Sequence, residues 1–85
     1  MRGPLLGVTM PRFRFDVCTD GVTVEDKEGL DLLSVGAARL EAARAASQML
    51  RDRTLDKAEP ADLSIIVRDG SPEPVCTIQV ALKIQ

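Results

Sequence analysis

Apolar and polar residues alternate along most of this chain, and one stretch in the middle has a helical period instead. Over residues 12–18, Phe13, Phe15 and Val17 fall on one parity and Arg12, Arg14 and Asp16 on the other, which a β-strand sends to opposite faces. Asp20 and Gly21 form the dipeptide favoured in tight hairpins, and Val22 and Val24 then alternate with Thr23 and Glu25, predicting a second strand antiparallel to the first. The charged run 25–29 ends it. Ser34 is a candidate N-cap for a helix over 35–52, rich in Ala, Leu, Glu and Arg. At about 100° per residue, Val35, Ala38, Ala42, Ala45, Ala46, Met49 and Leu50 share its apolar side, with Leu40 outside the stripe. Residues 54–62, with Pro60, read as the connection out of the helix. A third strand puts Leu63, Ile65 and Val67 inward and Ser64, Ile66 and Arg68 outward; residues 70–74, with two prolines, form the next turn. In the last segment Cys76, Ile78, Val80, Leu82 and Ile84 alternate strictly with Thr77, Gln79, Ala81 and Lys83, predicting a long, central strand.

The order is β-β-α-β-β, an α+β fold with one helix packed on one face of a four-stranded sheet. A right-handed crossover would make the first and last strands parallel neighbours, in the order 2-1-4-3; the alternative is an all-antiparallel sheet in the order 2-1-3-4. The expected organisation is a flexible N-terminal extension over 1–9 followed by a single domain over 10–85. The extension has too short an apolar run for an export signal, whose apolar region needs roughly 7–15 residues.

Composition sharpens this picture at the face away from the helix. The chain has 85 residues, 45% hydrophobic and 28% charged but only 2% aromatic, so its core is aliphatic. Single-strand nucleic-acid platforms need rings and cations on one open face. Here the two phenylalanines point toward the helix and the arginines away from it, and the net charge of −2 is too low for a protein devoted to phosphate contacts. The open face is left as the candidate interface: Arg12, Arg14, Ile66, Arg68, Gln79, Ala81 and Lys83. A homodimer, or an unidentified protein partner, is the expected occupant. Nucleic acid held by Arg12, Arg14, Arg68 and Lys83, as an antitoxin-like regulator would hold it, is the disfavoured alternative, and no membrane contact is expected. The acidic residues from Asp20 to Asp31 match no calcium-loop spacing, Cys18 and Cys76 lie on opposite parities as free thiols, and no His is present. No catalytic residue, metal or cofactor is expected, and the reading is a cytoplasmic, non-enzymatic interaction module.

Taken together, "MPRFRFDV", the Asp20-Gly21 pair, "DKEG" at 26–29, "AARLEA" at 37–42 and "VRD" at 67–69 resemble a family of very short, mainly alphaproteobacterial proteins catalogued as a domain of unknown function. Its members open M-x-R-[YF]-x-F and carry D-x-E-G ahead of an Ala- and Arg-rich helix. The resemblance implies a structural role for that motif: Gly29 turning the chain at positive φ, and Asp26 and Glu28 accepting local backbone bonds or pairing with Arg39. Arg39, placed near the buried side of the helix, is expected to have an ion pair or carbonyl contacts.

Overall fold

A computed structural model describes residues 10–57 and 59–84, without the side chains of 54–57. The extension expected over 1–9 lies outside the described residues. The elements are β1 (Arg12–Thr19), β2 (Val22–Val24), β3 (Leu30–Asp31), α1 (Val35–Lys57), β4 (Ala61–Arg68) and β5 (Cys76–Leu82). The fold is α+β, one helix on one face of an antiparallel sheet ordered β2-β1-β4-β5, with β3 also paired to β1.

Local chemistry explains each element. Asp20 and Gly21 both take positive φ, 53° and 80°, the two-residue turn whose twist matches that of the flanking strands. Ser34 caps α1, its Oγ accepting from the Ala37 amide at 3.1 Å and its carbonyl from the Ala38 amide at 3.0 Å. Gly70, at φ 96°, turns the chain between β4 and β5, and the Val75 amide donates to the Val67 carbonyl to close that hairpin.

Three expectations are corrected. The parallel order 2-1-4-3 does not occur: the strand after the helix, β4, pairs with β1 along six residues, and the last strand lies outside it. The reason is the direction and length of α1. It starts beside the Pro11 end of β1, where the Leu32 amide donates to the Pro11 carbonyl, and ends near the hairpin tip, where Arg53 meets Asp20. The helix therefore runs with β1, and because it continues to Lys57 the link to Ala61 is short. A short link leads straight into a strand running back against β1. Second, the long last strand is an edge and not the centre; its inward residues Cys76, Ile78, Val80 and Leu82 are half-buried, whereas Leu63, Ile65 and Val67 of β4 are buried. Third, a fifth strand, β3, was not foreseen.

The core lies between α1 and the sheet: Phe13, Leu63, Ile65 and Val67 against Ala38, Ala42 and Ala46, with Phe15 and Val17 packed at its margin. Small alanines let the helix axis come close, and the strands supply the volume. Val35 and Met49, assigned to the buried stripe, are 43% and 38% exposed. A 23-residue helix is about 34 Å long and an eight-residue strand about 27 Å, so the helix ends overhang the sheet. Leu40 is exposed on the opposite side.

Candidate interaction surfaces

The open face of the sheet is a ladder of rows fixed by register. Arg14 stands opposite Arg68, Asp16 opposite Ile66, Cys18 opposite Ser64, and on the far side of β4 Ile66 faces Thr77, Ser64 faces Gln79 and Asp62 faces Ala81. The predicted interface residues Arg12, Arg14, Ile66, Arg68, Gln79 and Ala81 do share this face. Lys83, two residues past Ala81, lies at the far end from the arginines, beside a shallow hollow bordered by Asp20 and Asp62.

Two of those four cations, Arg12 and Arg68, are already engaged. Arg68 Nε donates to Asp16 Oδ2 at 2.9 Å, and Arg12 pairs with Asp31 at 3.2 Å while donating to the Glu28 carbonyl at 2.6 Å. Gln79 Nε2 donates to Asp62 Oδ1, and Arg53 to Asp20. Of the four cations proposed to hold nucleic acid, Arg14, which stands opposite Arg68, and Lys83 are exposed and form no ion pair among the described residues. The phenylalanines lie on the helix side, as the alternation predicts: Phe13 is buried and Phe15 half-buried.

An acid network that the alternation did not reveal ties one edge of β1 together. β2 pairs with β1 up to Val17↔Val24, and β3 resumes at Phe13↔Leu30, so residues 25–29 stand opposite only 14–16. The extra chain folds around Asp26. Its Oδ2 accepts from the Phe15 amide at 3.1 Å and its Oδ1 from the amides of Glu28 and Gly29, both at 3.1 Å. The Asp26 amide donates to Asp16 Oδ1 at 2.9 Å. Asp16, 6% exposed, thus bridges the turn to Arg68 across the sheet. Burial pushes the Asp26 carboxyl up, but the Gly29, Phe15 and Glu28 amides, with the Arg14 guanidinium, outweigh it and hold the group below 3.8.

Gly29 has φ 76°, and a Cβ there would stand 2.8 Å from the Phe13 carbonyl oxygen, so glycine is demanded twice over. Asp26 and Gly29 therefore take the structural parts expected of them. Glu28 contributes its backbone carbonyl, not its carboxylate, and Arg39 is a correction: it is exposed and makes no hydrogen bond or ion pair among the described residues. The buried stripe is one alanine wide, and Arg39, a further 100° round the axis from Ala38, falls outside it.

The helix side holds a second surface. One helix about 10 Å across covers roughly two strands spaced about 4.8 Å apart, and α1 lies over β4 and β5. Beside it the helix-side residues of β1 to β3 other than Phe13 are less covered: Phe15 and Val17 half-buried, Leu30 exposed, and Val22 and Val24 64% and 65% exposed. The signal was in the sequence, in two valines on the inward parity of a strand too far from the helix to be covered. Cys18 and Cys76 are both half-buried free thiols, on opposite faces. Among the described residues no helix is long and apolar enough to cross a membrane, and no cluster of His, Cys, Asp or Glu has the arrangement to hold a metal ion.

No curated protein and no solved structure matches the chain. The family described as DUF6894, a domain of unknown function, matches residues 12–81, and the chain belongs to that family.

Proposed function

We propose that this chain is a small non-enzymatic interaction module that associates with a second copy of itself. The observation that carries the reading is the outer edge of β5, which has no hydrogen-bonding neighbour among the described residues; the single helix also leaves Val22, Val24 and Leu30 exposed, apolar surface of the kind that marks contact with another molecule. Two features favour binding over chemistry. The hollows on the open face are shallow, and the carboxylates bordering them, Asp20 and Asp62, are held by Arg53 and Gln79. Nucleic-acid binding by the open face has less support, because Arg12 and Arg68 are spent on carboxylates and Lys83 lies at the acidic end. Sedimentation equilibrium over a micromolar concentration series tests the reading. Masses rising above the 9.2 kDa monomer are expected, and a monomer at every concentration removes it.

A further inference from the structure

We infer that the second copy docks strand to strand, β5 against β5 about a two-fold axis that passes through Gln79; this rests on the self-association proposed above. β5 is the outermost strand, and its register with β4 is unbroken from Ala61↔Leu82 to Val67↔Cys76. Proteins guard such edges with prolines, charges, bulges or very short strands, and the seven residues CTIQVAL have none of these. One side of β5 bonds to β4, so alternate amides and carbonyls on its other side point out of the sheet.

The occupant follows from what surrounds this edge. Pro74 lacks an amide proton and closes the usable strand at one end, and the charge of Lys83 closes it at the other, leaving a segment whose midpoint is Gln79. An antiparallel copy centred there sets Ile78 opposite Val80 and Cys76 opposite Leu82 on the helix side, apolar against apolar, and Thr77 opposite Ala81 on the open side. Glu73 and Lys83, of opposite charge, flank the strand at its two ends, so an antiparallel copy brings the oppositely charged ends together. Gln79 Nε2 already donates one hydrogen to Asp62; its second hydrogen and its carbonyl oxygen match the same groups of the copy's Gln79 in a reciprocal amide pair. Because α1 lies over β4 and β5, the two helices flank the axis on one face of a continuous sheet. In this pairing the apolar lane over β1 and β2, at the border far from β5, stays outside the contact between copies.

Sedimentation equilibrium on the full chain tests this with Gln79→Lys and Val24→Lys, each checked for folding by circular dichroism. In the first, the introduced ammonium pairs with Asp62 within a monomer but opposes its own copy on the axis, so the dissociation constant rises at least about tenfold while the fold is kept. Val24→Lys leaves association unchanged. Wild-type affinity in Gln79→Lys, or dissociation by Val24→Lys with Gln79→Lys unaffected, overturns the strand pairing and leaves self-association standing. A wild-type chain that is monomeric throughout overturns both. Hydrogen exchange adds a direct readout: alternate β5 amides are protected in the wild-type dimer and exchange at loop rates in Gln79→Lys, and fast exchange of those amides in a wild-type dimer overturns the pairing.

Discussion

Along one border of the sheet, β2 and β3 are short and the gap between them is closed by a carboxylate that takes the Phe15 amide in place of a neighbouring strand. Along the other, β5 runs seven residues with nothing in place of a neighbour among the described residues. The first border is finished from within the chain and uses particular residues to do it: Asp26, Asp16 and a glycine at positive φ. The second uses none, and its open-face residues Thr77, Gln79 and Ala81 are exposed, with Gln79 bonded to exposed Asp62 on β4. Changes at the closed border should therefore cost folding stability, and changes at the bare one should cost association and leave folding nearly untouched.

The largest effect is expected at Gly29. Gly29→Ala forces a side chain into the left-handed region and against the immobile Phe13 carbonyl, and the urea midpoint should fall by an amount equivalent to roughly 2–3 kcal/mol. Asp26→Ala follows, at about 2 kcal/mol, because three backbone amides lose a charged acceptor and the Phe15 amide is partly buried. The same carboxylate gives acid a handle on this border. Its folded pKa lies below 3.8, so its contribution is complete above that value and is lost as pH falls through the lower folded value. Between pH 5 and the acid limit, roughly pH 2, wild-type stability should therefore drop more steeply than that of Asp26→Asn, as read by urea titrations at each pH. Arg12→Ala removes an exposed ion pair and one carbonyl contact, for about 0.5 kcal/mol. Last, Gln79→Lys should move the midpoint of the dilute monomer by less than about 0.5 kcal/mol, and a loss comparable to that of Asp26→Ala would erase the distinction between the borders.

The same contrast shows what the chain discloses of itself. Period-two alternation placed Phe13, Leu63, Ile65 and Val67 in the core, since the face a residue occupies depends only on its parity. Strand order is another matter. A central strand and an edge strand of an antiparallel sheet alternate alike, and β5 has the cleaner pattern although it lies outermost. Deciding between them required knowing that α1 runs past residue 52 to Lys57, which leaves no length for a crossover to the far strand. The turn at 26–29 was legible because aspartate and glycine have specific backbone chemistry. Asp16 was not: parity sent it outward, and only the fold of residues 25–29 over β1 buries it beside Arg68. Arg39 failed for the converse reason, as a stripe of alanines covers a narrower arc of helix than larger side chains would.

The two thiols sit on opposite sides of the hydrogen-bonded sheet, Cys18 beside Ser64 and Cys76 beside Val67. No rotamer change can join sulfurs through a layer of backbone, so oxidation cannot lock this domain shut from inside. Any disulfide it forms while folded links it to another molecule, and an oxidising surrounding would register in this protein as covalent assembly and not as added stability.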